Sequence, residues 1–192
     1  MQLLFMRHGI AAARDEAMGN DADRPLTEEG ILRTQEAGAA LRACGVKLDL
    51  IVASPLLRAV QTAEIVRDVY TTRGTRSRKK LVAPRLETWP ELERAEFDTL
   101  QPRFQELSPL ETALLIGHGR EVSRLIARLL TGSERGMSID LRKAGICALD
   151  ISARVSFEVD CEPDLNPLVT LLWHAGPTQL RLMSRKPQRQ RE

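Results

Sequence analysis

The chain has 192 residues, with 28 Lys and Arg against 26 Asp and Glu, a formal net charge of +2 that gives no ground for a nucleic-acid partner. With 43% apolar and 28% charged residues it reads as a folded soluble protein. Three scattered cysteines without a CxxC pair argue against a disulfide framework or zinc cluster and for a reducing compartment.

Residues 3–6 are four consecutive apolar residues, the pattern of a strand buried on both faces. Arg7-His8-Gly9 follows directly. Residues 10–24 are small, polar and Asp-rich, and read as a loop. Thr27 with Glu28 and Glu29 predicts a helix start, with Leu26 stapled onto Ile31. Ile31, Leu32, Leu41 and Cys44, with Ala37 and Ala40 between them, predict its buried stripe, and Gly45 its stop.

A second apolar run lies within 48–53, and Ser54-Pro55 predicts the cap and first residue of the next helix. That helix carries Leu56, Ala59, Val60, Ala63, Val66 and Val69 at a 3.6-residue period, with Arg58 and Thr62 one turn apart near its start. Residues 71–80 hold five basic residues and read as a solvated loop; the alternative is an electropositive rim for an acidic partner. A short strand is expected at 81–83 and a short helix near 98–107.

Residues 112–116 form another apolar run, ended by Gly117-His118-Gly119-Arg120. Val122, Leu125, Ile126, Leu129 and Leu130 then predict an amphipathic helix ended by Gly132. Strands are expected at 144–151, 155–159 and 168–173, a helical turn at 177–183, and a disordered basic tail at 184–192. There is no repeat or linker, so 1–183 is expected to be one domain. The alternation predicts an α/β fold, a mostly parallel sheet with helices on both faces and room for an antiparallel edge strand. No run approaches the ~20 apolar residues of a membrane helix and no signal peptide is visible, so the expected location is the cytoplasm.

Ligands of open α/β sheets bind outside the carboxyl ends of the strands. Arg7, His8 and His118 follow directly on apolar runs, and Arg58 lies in the first helical turn after a third run, so the four can share one rim. Two guanidinium forks suit a tetrahedral dianion. A neutral imidazole can attack phosphorus, and a second imidazole, if protonated, adds positive charge. Singly, each residue has an ordinary structural explanation; the set is what points to phosphate. His174, after the last strand, reads as structural.

Arg7-His8-Gly9 after a strand resembles the signature of the histidine phosphatase superfamily, the phosphoglycerate-mutase-like fold. Residues 54–63, SPLLRAVQTA, resemble its second motif, and Ile116-Gly117-His118-Gly119 its third. Residues 24–30, RPLTEEG, resemble the form found in the SixA-type phosphohistidine phosphatases. The resemblance implies that His8 is the nucleophile that becomes transiently phosphorylated. It implies that Arg7, Arg58 and His118 bind the phosphoryl group beside Gly9, and that no metal or organic cofactor is needed. Many members also use an acid to protonate the leaving oxygen. Glu87 is the first candidate, with Glu91 and Asp98 behind it, although a solvated surface role for Glu87 has equal weight. Phosphohistidine loses an imidazole of pKa ~6.5, which needs less help than an alkoxide. The short 84–110 segment leaves room for only a small lid. The expected substrate is therefore a phosphohistidine-bearing protein of a phosphorelay or phosphocarrier system. A broad-specificity phosphomonoesterase for small molecules and a non-catalytic phosphate-binding module are the alternatives, with no nucleic-acid or membrane partner.

Overall fold

The computed structural model describes residues 1–14, 20–72, 82–107, 109–151 and 169–184. Strand β1 (Gln2–Arg7) pairs parallel with β4 (Thr112–Gly117) and antiparallel with β5 (Ile146–Ile151). Strand β2 (Leu50–Ala53) lies between β4 and β3 (Arg85–Thr88), parallel to both, and β6 (Val169–Ala175) closes the far edge antiparallel to β5. The order is β3-β2-β4-β1-β5-β6.

The two sheet faces carry separate cores. Leu3, Phe5, Val52 and Leu115 face α3 (Phe97–Leu107) and α4 (Gly119–Thr131). Leu4, Met6, Ile51 and Leu114 face α1 (Glu28–Ala43), α2 (Leu57–Thr71) and α5 (Pro177–Ser184). Alternate residues of β1 thus serve opposite cores, which is why that run is apolar throughout. The fold is the expected α/β sandwich, four strands parallel and one edge completed through antiparallel pairs.

Thr27 caps α1 as expected, its Oγ1 accepting from the Gly30 amide at 3.1 Å. The predicted stripe is wrong at both ends: Ile31 is 37% and Leu32 61% exposed, and Cys44 is exposed, while Gly30, Thr34, Ala37, Gly38, Ala40 and Leu41 are buried. This helix packs against α2 and α5, and close approach selects small side chains over large apolar ones. Leu26 is buried, whereas Ile31, its expected staple partner, is exposed.

Ser54-Pro55 is also corrected. The helix cap is Leu56, with no side-chain hydrogen bond, and helix α2 begins at Leu57. Ser54 turns inward instead, as the next subsection describes. Arg58, Ala59, Thr62, Ala63, Val66 and Tyr70 are the buried residues of α2, so Arg58 and Thr62 belong to its inner face. The third strand forms at 85–88 rather than 81–83; it is a mostly exposed edge strand that hydrophobic patterning does not mark. Helix α4 and its stop match expectation, Gly132 adopting φ 76° as the C-cap. The predicted strand at 155–159, the basic residues 73–80 and the tail beyond Ser184 lie outside the described residues. No described helix is long and apolar enough to cross a membrane.

Candidate active site

Strand register assembles the site. Arg7 stands opposite Gly117, and Ala53 opposite Ile116, so β1, β4 and β2 end side by side. The next residues are His8, His118 and Ser54. The His8 amide donates to the Gly117 carbonyl at 3.0 Å, and the Ser54 amide to the Ile116 carbonyl at 2.9 Å. The His8 and His118 ring centroids are 5.3 Å apart, the planes tilted by 58°. His8, Arg58 and His118 are 7%, 6% and 8% exposed.

The His8 tautomer follows from one bond. Its Nδ1 lies 2.7 Å from the Gly9 carbonyl oxygen. A carbonyl only accepts, so Nδ1 carries the proton and Nε2 keeps its lone pair. His118 Nε2 is hydrogen-bonded to Ser54 Oγ at 2.9 Å, which fixes the second ring. On the far side, the Ala144 amide reaches back to the Arg7 and His8 carbonyls at 3.1 and 3.3 Å. Ala144 does so with φ 59°, a left-handed conformation that costs an alanine about 1 kcal/mol or more.

The Gly9 amide donates to Thr62 Oγ1 at 3.0 Å, and that hydroxyl donates to the Arg58 carbonyl at 2.7 Å. A Cβ on Gly9 would meet Thr34 Oγ1 at 2.6 Å and the Gly30 carbonyl oxygen at 3.1 Å. Gly9 is therefore needed for close approach to α1; its φ is not positive, so the freedom to turn is not what it supplies.

Arg7 crosses the start of α4. A Cβ on Gly119 would stand 2.7 Å from its guanidinium carbon. One terminal nitrogen of Arg7 donates to the Leu141 carbonyl at 3.2 Å. Arg58 donates to the Asp21 carbonyl at 2.9 Å and pairs with the Asp21 carboxylate at 3.3 Å. The Nε atoms of both arginines are buried without a hydrogen-bond partner. Two cationic groups with buried, unpartnered donors, both acting on His8, suit an anion.

Burial, reinforced by His118, Arg58 and Arg7, holds His8 down to about 3 against the Gly9 hydrogen bond. Burial and Arg58 hold His118 down to about 4, opposed by Glu121 and Asp21. Both rings are neutral near pH 7 in the free protein. A protonated His118 therefore requires an incoming anion to raise its affinity for the proton. Partial burial alone would raise the Asp21 carboxyl, but Arg58, Arg24 and Arg14 outweigh it and hold it below the usual carboxylate range.

Glu87 is exposed on β3, and its carboxylate accepts from Trp89 Nε1 at 3.2 Å rather than joining the four site residues. Glu91 is tied to Arg103 at 3.1 Å, and Asp98 is exposed in the first turn of α3. His174 is exposed on β6. Sequence reasoning missed Asp21, Ser54 and Thr62 as site residues. The Asp-rich 20–24 stretch, with Arg24 three residues after Asp21 and paired to it at 2.8 Å, was the available signal for Asp21. Among the described residues, no group of three or more His, Cys, Asp or Glu is placed to hold a metal.

Residues 3–106 match the model of the Histidine phosphatase superfamily (branch 1). The chain belongs to that superfamily. An uncharacterized protein of Picosynechococcus is 33% identical over 174 residues, 84% of this chain and 93% of the relative. The phosphohistidine phosphatase SixA of Escherichia coli K12 is 41% identical over 68 residues, 35% of this chain and 40% of its own length. The structure of the protein histidine phosphatase SixA complexed with tungstate superposes with a TM-score of 0.71 and 25% identity, covering 94% of this chain and 99% of that one. The chain is thus an enzyme of the phosphatase type, and its resemblance runs to the SixA-type branch.

Proposed function

We propose that the enzyme removes the phosphoryl group from protein phosphohistidine through a phospho-His8 intermediate. The observation that carries this reading is the Nδ1–H bond of His8 to Gly9, which leaves Nε2 unprotonated within the field of the Arg7 and Arg58 guanidinium groups, whose Nε atoms are buried. The Nε2 lone pair forms a bond to phosphorus while the bond from phosphorus to the substrate imidazole breaks. That electron pair returns to the leaving nitrogen, which takes a proton from solvent. Water then attacks phosphorus, the bond to Nε2 breaks, and phosphate leaves. Arg7, Arg58 and His118, with the Gly9 backbone alongside, hold the phosphoryl oxygens, so catalysis is mainly positioning and charge stabilisation.

Two features favour a protein phosphohistidine. An imidazole leaves without strong acid assistance, and Glu87 is engaged with Trp89. Helix α3, which makes up about half of the segment between β3 and β4, buries Leu100, Phe104 and Leu107 in the core of one sheet face. Packed there, α3 itself does not serve as a lid over the rim, which favours a folded partner. The relatives named phosphohistidine phosphatase agree with this reading, and the tungstate bound by one of them is a tetrahedral oxyanion like phosphate. A small-molecule phosphomonoesterase is the second reading. One observation favours it: Glu93, on the turn Pro90–Glu93, is among the charges acting on Arg58, where an acid for an alkoxide would be useful.

The test is rapid-quench labelling with a phosphohistidine protein. An alkali-stable, acid-labile phosphoenzyme is expected in the wild type and absent from His8→Ala, with turnover down by ~10³-fold or more. Faster turnover of small phosphomonoesters than of the phosphoprotein at equal concentration overturns the choice of substrate, and an inert wild type overturns catalysis.

A further inference from the structure

Arg7 belongs to more than the phosphate pocket. It also forms part of the wall of two surface hollows beside it. One, of about 330 Å³, runs along the start of α4 past Arg120, Ser123 and Arg124, with Glu134 and Asp140 also in its wall. The other, of about 1140 Å³, runs past Arg33, Arg142, Lys143 and His174 to the start of α5.

The charge along this flank is uneven. Arg7, Arg33, Arg120, Arg124, Arg142 and Lys143 line the two hollows, against Glu134 and Asp140. Asp140 is already paired with Arg142 at 3.2 Å, and Glu29 with Arg33. Arg120, Arg124 and Lys143 form no ion pair among the described residues. A chain of net charge +2 has gathered a local cationic excess around one catalytic arginine.

The shape argues against a small ligand. Pockets for small molecules are mostly apolar and span about 300–1,000 Å³. The larger hollow exceeds that range and the smaller lies at its lower end, but most of the residues lining each are charged or polar, with only Ile10 and Pro177 apolar in the larger. An opposing surface that carries carboxylates suits such walls: complementary charge steers the encounter and fixes the orientation in which it docks.

Building on the reading above, we propose that the Arg7 flank, from Arg120 and Arg124 across to Arg142 and Lys143, docks the acidic face of the phosphohistidine-bearing protein. The partner's phosphoimidazole would then enter the pocket from a fixed side. The basic segment 73–80 is not required for this surface.

The test compares two substrates that lose the same imidazole: an acidic phosphocarrier protein phosphorylated on histidine, and a short phosphohistidine peptide without acidic residues. In Arg124→Glu/Lys143→Glu, the ratio of kcat/KM for the protein to kcat/KM for the peptide is expected to fall at least tenfold. In the wild type the same ratio should fall as salt rises. Arg67→Glu, on the exposed side of α2, is the charge control and should leave the ratio unchanged. An unchanged ratio in the double variant overturns the docking surface, as does a ratio insensitive to salt. Failure of the wild type to dephosphorylate either substrate would instead overturn the proposed function.

Discussion

On the proposed function, Asp21 holds a position that a phosphoryl oxygen would compete for, since it already occupies Arg58. It pairs with Arg58, and Arg58 is 6% exposed, so the free protein depends on Asp21 to balance a buried cation. Asp21→Asn keeps the backbone acceptor but removes the charge. The expected loss of stability lies between the ~1 kcal/mol of an exposed pair and the ~3 kcal/mol of a buried one. Inorganic phosphate supplies the missing charge. It should therefore raise the thermal midpoint more in the variant than in the wild type, and equal phosphate shifts in the two proteins would refute this role. Sequence could show Arg7, His8 and His118, because each directly follows an apolar run whose end fixes its place. It could not show the pairing of Asp21 with Arg58, because the partners are 37 residues apart and the Asp-rich stretch points only to the local pair with Arg24.

The elements legible in the chain are those whose burial is either complete or cleanly periodic. Strands β1, β2 and β4 are apolar on both faces, and α4 buries one stripe. Strand β3 lacks that signal because its residues are mostly exposed, and α1 misleads because its tight face is built from Gly, Ala and Thr. That tightness is testable at Gly30. A Cβ there would fall 2.1 Å from the Ile10 carbonyl oxygen, which also accepts from the Thr27 amide. Gly30→Ala should cost about 1–3 kcal/mol, as overpacking does. It should also lower kcat, since Ile10 leads directly from His8 and Gly9. A melting curve with a turnover assay checks both, and a variant as stable and active as the wild type would contradict the packing described.

For the molecule as a whole, burying two neutral imidazoles ties stability to pH. Both have folded-state values below the unfolded 6.5, about 3 for His8 and about 4 for His118. Folding therefore favours the neutral form, and its contribution is fully present above pH 6.5. Below that, the unfolded chain binds protons that the folded one refuses, and stability falls toward pH 4 and then 3. The thermal midpoint should drop steadily between pH 6.5 and 4, and His118→Asn should drop less; parallel curves would rule out this origin.

The reach of Ala144 to the carbonyls of Arg7 and His8 bears on how the protein is made. Arg7 and His8 precede the rest of the pocket in the chain, yet their backbone is held by Gly117 and Ala144. Contacts so distant in sequence form late, after long loops have closed. A nascent chain therefore carries its histidine for more than a hundred residues of synthesis before any pocket surrounds it. The backbone geometry of Arg7 and His8 is complete only once the turn before β5 has emerged and locked against the first strand.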